Sequence, residues 1–168
     1  MVYTKGMITL KLLKQLRVVL IDCDGVLTDG GMYYYDNGVE GKKFNTRDGM
    51  ATKILRKNGI KVGIVTGEDT IIVENRANKL KIDYLYMGVT DKYNVLLEIC
   101  KKENIKPENI AYIGDDINDL EILKNVGFSA CPKDAVKEIK EICSFISTQD
   151  GGKGVLRDVL ERYLTDNE

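Results

Sequence analysis

Short unbroken apolar runs punctuate the chain, the plainest being Val18-Val19-Leu20-Ile21, Val62-Gly63-Ile64-Val65 and Ile110 to Ile113. Such runs leave no polar face for water, so each reads as a strand buried on both sides. Helical spacing fills the intervals. Thr46 precedes a helix running to Asn58, with Ala51, Ile54 and Leu55 on one face and Gly59 as its stop. A helix from Asp69 to Lys79 leads to a strand over Tyr84 to Met87. Thr90 and Asp91 then open a helix whose Tyr93, Leu96, Leu97 and Cys100 follow i, i+3, i+4, i+7 spacing. Phe128 to Cys131 and Phe145-Ile146 read as two further strands, with a helix around Asp134 to Glu141 between them. Gly151 to Gly154 leads into a last amphipathic helix carrying Leu156, Leu160 and Tyr163. This alternation predicts an α/β fold, a doubly wound parallel sheet with helices on both faces. One stretch breaks the rhythm. Gly31 to Phe44 reads as a β-hairpin with Asp36-Asn37-Gly38 as its turn and three tyrosines on one arm.

The 168 residues suit a single domain over 1–168, with no interdomain linker or repeat. A net charge of −1 gives no electrostatic grip on nucleic acid or on an anionic membrane. The N-terminal leucines Leu10, Leu12 and Leu13 are interrupted by Lys11 and Lys14, too short a stretch for a signal sequence or a membrane span. The expected location is cytoplasmic. Cys23, Cys100, Cys131 and Cys143 form no C-x-x-C pair, so they read as reduced core thiols. Histidine is absent altogether, which excludes Ser-His and Cys-His triads and imidazole metal ligands. Acid–base chemistry must come from carboxylates or lysine.

Carboxylates gather where the strands end. Asp22 and Asp24 follow the first run, and alternation in an extended chain sends both to one side while Gly25 lets the backbone turn away. Open α/β sheets hold their ligands along that edge. Gly114-Asp115-Asp116-Ile117-Asn118-Asp119 follows another run, and its carboxylates repel one another unless a divalent cation sits among them. Thr66 ends the second run; read alone, its hydroxyl caps the next helix. Lys92 lies in a first helical turn, a place compatible with an anion beside the backbone amides, although alone it reads as a surface lysine.

In this order the stretches resemble the four motifs of the haloacid dehalogenase superfamily of aspartyl phosphotransferases: DCDGVLTDG with Asp22 and Asp24, then Thr66, then Lys92, then Asp115 with Asp119. The resemblance implies a Rossmann-like phosphatase dependent on Mg2+. Asp22 would attack phosphorus and form an aspartyl phosphate, and Asp24 would protonate the leaving oxygen and then activate water. Asp22, the main-chain carbonyl of Asp24 and Asp115 would hold the metal, Thr66 and Lys92 would hold phosphate oxygens, and Asp116 and Asp119 would orient the metal's waters.

TDGGMYYYDNGVEGKKFNTRDGM, the TGE from Thr66, DYLYMGVTDK and GGKGVLRD further resemble a capless subfamily, the phosphatases of KDO 8-phosphate and of KDN and N-acylneuraminate 9-phosphates. The implied ligand is a small sugar acid phosphate. Glu68, Arg76 and Lys79 are similar to the nine-carbon members, whereas Thr46-Arg47-Asp48-Gly49 looks like the KDO side; the balance leans to a nine-carbon acid, and Gly67 joins the substrate-binding residues. Arg76 and Arg157 could fork onto the substrate carboxylate, and Arg47 joins the same substrate-binding set. The subfamily implies a homotetramer in which the hairpin replaces a cap domain, meets a neighbour, and the Gly151 to Gly154 tail reaches a neighbour's site. Two rivals remain: a phosphorelay receiver, which uses similar residues on a similar sheet, and a non-catalytic domain like those fused to sugar cytidylyltransferases. The position of the D-x-D-G after the first strand opposes the receiver, and complete motifs oppose the inert domain.

Overall fold

A computed structural model describes residues 14–164; Leu10, Leu12 and Leu13 and the side chain of Tyr163 lie outside the described residues. The apolar run Val18–Ile21 is strand β1, fully buried, and it forms the middle of a six-stranded parallel sheet. The other strands are β4 (Lys61–Val65), β5 (Tyr84–Tyr86), β6 (Ile110–Ile113), β7 (Phe128–Cys131) and β8 (Phe145–Ile146), in the order β5-β4-β1-β6-β7-β8. Val18 pairs with Lys61 on one side and Ile110 on the other, so β1 has a partner along both edges.

Side chains alternate across β1, and the alternation builds two cores. Val19 and Ile21 face α1 (Thr46–Lys57), α2 (Ile71–Leu80) and α6 (Val155–Val159) through Ala51, Leu55, Val73, Ala77, Leu156 and Val159. Val18 and Leu20 face α3 (Lys92–Glu103), α4 (Leu120–Asn125) and α5 (Lys137–Ile142) through Leu96, Ile99, Ile122 and Ile139. Each such side chain, fully buried, stabilises the fold by about 1.5–3 kcal/mol before the entropy of ordering is charged against it. The predicted doubly wound sheet is therefore the observed one.

Several boundaries move for identifiable reasons. Asn45 rather than Thr46 caps α1, its side chain accepting the Arg47 amide N–H at 2.9 Å. Thr70 caps α2, which begins after Asp69. α3 buries Val95, Leu96 and Ile99 with Lys92, while the expected Leu97 is 43% exposed. Both sets fit a 3.6-residue period; the inward turn of Lys92 selects between them. α5 starts later than expected because Asp134 is occupied elsewhere, accepting the Gly151 amide N–H at 2.9 Å. The short 3-10 turn Ile117–Asp119 was hidden within the acidic motif, and α4 follows directly on it.

The hairpin pairs β2 (Tyr33–Tyr34) with β3 (Glu40–Gly41), and its turn closes through Tyr35 N–H to Val39 O at 3.0 Å. Tyr34 is 71% exposed, and Tyr33, Tyr35 and Val39 are also exposed. All four cysteines are free thiols. Cys23 and Cys131 are buried, and Cys100 and Cys143 are partly buried. Among the described residues no helix is long and apolar enough to cross a membrane.

Candidate active site

The chain leaves β1 through a tight turn over Cys23–Leu27, closed by Thr28 N–H to Cys23 O at 3.1 Å. Gly25 makes this turn possible. Its φ of +85° disfavours a side chain, and a methyl group there would overlap Asp115 Oδ2. Asp22 caps the turn by accepting the Cys23 N–H at 2.7 Å, and Thr28, fully buried, donates to Asp24 Oδ1 at 3.3 Å while accepting from Gly30 N–H.

The first loop meets the one after β6. Asp22, Asp115 and Asp119 each bring a carboxylate oxygen within 4.8 Å of the others. Lys92 enters between them from the first turn of α3, its Nζ 3.0 Å from Asp22 Oδ1 and 2.7 Å from Asp119 Oδ1. Lys92 is thus buried, not a surface lysine. One ammonium does not balance three carboxylates in a shielded site. Burial, followed by the charge of Asp119, raises the Asp22 carboxyl well above the ordinary range, against the opposing pull of Lys92. Burial and Asp119 push Asp115 up to about 7. For Lys92, burial works against the charged form, but Asp22 and Asp119 outweigh it and hold the ammonium protonated.

This is the setting a divalent cation fits. Asp115 Oδ1 is buried without a hydrogen-bond partner, a cost that a hard oxygen-seeking ion removes. Asp22 and Asp115 could hold such an ion. Asp119 differs from the water-orienting residue expected: its Oδ1 accepts from Lys92 and from Tyr112 O–H at 2.6 Å, and its Oδ2 accepts from the amides of Asp115 (2.9 Å) and Asp116 (3.3 Å). Both oxygens are spent on fixing the loop and the lysine. Asp116 accepts the Ile117 N–H and stays exposed at the rim.

The cavity beside this centre, about 420 Å³, is lined by Asp22, Asp24, Thr66, Gly67, Glu68, Asp115, Asp116 and Asn118. Thr66 is buried at the end of β4, and its Oγ1 accepts the Glu68 N–H at 3.2 Å. The remaining sequence candidates lie elsewhere. Arg47 and Arg157 line a separate cavity of about 250 Å³ with Lys153. Arg76 donates to Asn45 O at 3.0 Å and lies 5.3 Å over the Phe44 ring. Lys79 is exposed on α2. The glycine-rich tail is bound to its own chain: Gly152 N–H donates to Val26 O at 3.0 Å, and a methyl group on Gly151 would overlap Gly25 O. Within one chain these glycines buttress the first loop.

Two participants escaped sequence reasoning. Tyr112 reads as one more strand residue until its hydroxyl is found on Asp119. Lys42, on the hairpin's return arm, places Nζ 2.7 Å from Asp24 Oδ1. Nothing in the spacing of GVEGKKF distinguishes Lys42 from its neighbour Lys43.

A carboxylate nucleophile candidate, a metal-fitting oxygen pair, a buried lysine and a strand-end threonine at one sheet edge define a phosphoryl-transfer site of the aspartate type. Residues 85–158 match the model for haloacid dehalogenase-like hydrolases. The chain is 36% identical over 151 residues to 3-deoxy-D-manno-octulosonate 8-phosphate phosphatase KdsC of Escherichia coli K12, covering 90% of this chain and 80% of that one. The phosphatase of that name from Yersinia pestis superposes with a TM-score of 0.88 at 35% identity, over 93% of this chain and 84% of its own. The Moraxella catarrhalis enzyme, solved with a magnesium ion, a phosphate ion and KDO, superposes with a TM-score of 0.87 at 32% identity, over 92% and 91%. The chain accordingly belongs to the haloacid dehalogenase-like hydrolase family, as a phosphoric monoester hydrolase of the Mg2+-using phosphatases.

Proposed function

We propose that this phosphatase hydrolyses KDO 8-phosphate, or a closely similar 2-keto-3-deoxy sugar acid phosphate, through an aspartyl phosphate on Asp22. The observation that carries the chemistry is the Asp22–Lys92–Asp115 cluster at the edge of the sheet, with Asp24 on the same loop. Asp22 supplies the carboxylate that attacks phosphorus, splitting one hard displacement into two easier ones. Asp24 gives a proton to the departing alkoxide and takes one from the water that cleaves the aspartyl phosphate. Lys92 and Thr66 hold phosphate oxygens, and Asp119 fixes Lys92 for that task. Asp22, Asp115 and the carbonyl of Asp24 would hold Mg2+, which would supply charge neutralisation on the phosphoryl group.

The lean towards a nine-carbon acid finds no support. Its basic candidates, Arg76 and Lys79, do not line the cavity, and the curated relatives matched over four-fifths of their length bear the KDO 8-phosphate name. Glu68, which does line it, keeps KDN and N-acylneuraminate 9-phosphates as a second reading. The exposed tyrosines of the hairpin fit a homotetramer contact, because an isolated two-stranded hairpin is marginal in water and this one turns apolar rings outward. Sedimentation of the native protein reads that directly.

The deciding experiment compares kcat/KM for KDO 8-phosphate, KDN 9-phosphate and N-acetylneuraminate 9-phosphate at saturating Mg2+, with Asp22→Asn as control. KDO 8-phosphate is expected to lead and Asp22→Asn to be inactive on all three. A nine-carbon leader would replace the substrate assignment; an active Asp22→Asn would remove the nucleophile.

A further inference from the structure

We infer that Lys42, reaching in from the hairpin, is the positioning residue for Asp24: it holds one carboxylate oxygen so that the other faces the leaving group and the attacking water. The inference rests on the acid–base reading of Asp24.

The Lys42 side chain is fully shielded from solvent, while Asp24 keeps 28% exposure. A buried ammonium is costly without a charged partner, and Lys42 meets one, Asp24 Oδ1 at 2.7 Å, with Met32 Sδ at 3.4 Å as its other neighbour. Thr28 O–H reaches the same Oδ1. Two donors thus converge on one oxygen of Asp24, fixing the rotation of the carboxylate. Asp24 needs that help because its own backbone, at φ −75° and ψ 126°, is extended inside the turn and offers no helical neighbour to brace it.

Lys42 also gives the hairpin a second task. Its strands contribute only two residues each, yet the return arm sends this one side chain into the active centre. A group at hydrogen-bond distance from a residue that transfers protons sets geometry on which rate depends steeply; a misplacement of about 1 Å costs on the order of a hundredfold.

The test is a double-mutant cycle of Lys42→Met and Asp24→Asn, following phosphate release from whichever of the three sugar acid phosphates is turned over fastest, at saturating Mg2+. Acting through Asp24, Lys42→Met should lower kcat about a hundredfold with KM changed less than about threefold. Lys42→Arg, which keeps the charge and the donors, should recover about tenfold of that loss. In the Asp24→Asn background the same Lys42→Met should cost less than about threefold. Equal losses in both backgrounds mark a merely structural lysine and overturn the inference, as does an unmoved kcat. Thermal melting of each variant accompanies the kinetics, and if Lys42→Met does not fold, Lys42→Gln takes its place in the cycle. Wild-type turnover by Asp24→Asn alone would remove the acid–base reading, and it is read from that single variant independently of Lys42.

Discussion

Asp115 Oδ2 lies against the α-carbon of Gly25, filling the space where any other residue would carry its side chain. The loop after β1 and the loop after β6 interlock at this point, and a carboxylate fitted for the metal is positioned by the absence of a side chain on the opposite loop. Gly25→Ala combines that overlap with a backbone at φ +85°. The expected result is loss of Mg2+ binding by at least about tenfold and of activity by about a hundredfold, with stability reduced by about 1–3 kcal/mol. Calorimetric Mg2+ titration of the folded variant checks the first, and denaturant unfolding the last.

Lys92 is the ammonium that lets Asp22 and Asp119 share one buried site. Lys92→Met leaves both carboxylates facing each other, and breaking a buried pair in this way costs about 3–5 kcal/mol. Without metal the variant should melt well below the wild type. Adding Mg2+ should raise its melting temperature by more than it raises that of the wild type, because the ion then supplies charge the lysine no longer does. Activity should stay low in either case. Equal Mg2+ effects on the two proteins would show that Lys92 does not serve as the counter-charge.

Asp48 gives a pH dependence away from the centre. It is buried at the junction of α1 and α6, accepts the Arg157 N–H at 3.2 Å, and leaves Oδ2 without a partner. Burial pushes its carboxyl up to about 6, against the backbone amides of Arg157 and Leu156 and the charge of Arg76. The folded protein therefore holds this proton more tightly than the unfolded chain, whose value is about 3.9. Its favourable contribution is complete below that value and is lost as pH rises through about 6. Asp48→Asn keeps an acceptor and removes the charge, so it should be more stable than the wild type at pH 8, by about 3 kcal/mol. The gap should close below about pH 4. Urea unfolding across that range tests the sign as well as the size.

The sheet and its chemistry were legible because they rest on local signals. Four branched apolar residues before Asp22 announce a buried strand, and carboxylates at two strand ends announce a charge problem that the fold solves by bringing them together. Lys42 was not legible, since its role depends on a hairpin folding back over a turn eighteen positions earlier. Arg47 and Arg157 were placed by packing that the sequence does not show. Their charge suited a carboxylate, but the packing of α6 on α1 placed them around another cavity. Asp48 showed as part of a motif, while its burial and its hold on α6 appear only in three dimensions.

The order in which the chain is made bears on when this enzyme can work. β1 is made well before its second sheet partner, β6, and the backbone bond from Gly152 to Val26 comes later still. Until β6 and the loop after it arrive, β1 has no partner along one edge, and Asp119, which holds Lys92 beside Asp22, is missing. A nascent chain stalled before Ile110 leaves one edge of an apolar strand unpaired, and the first loop gains its bond from Gly152 only after that residue is made. Such a chain also lacks Asp115 and Asp119, two of the three carboxylates that meet at the candidate centre.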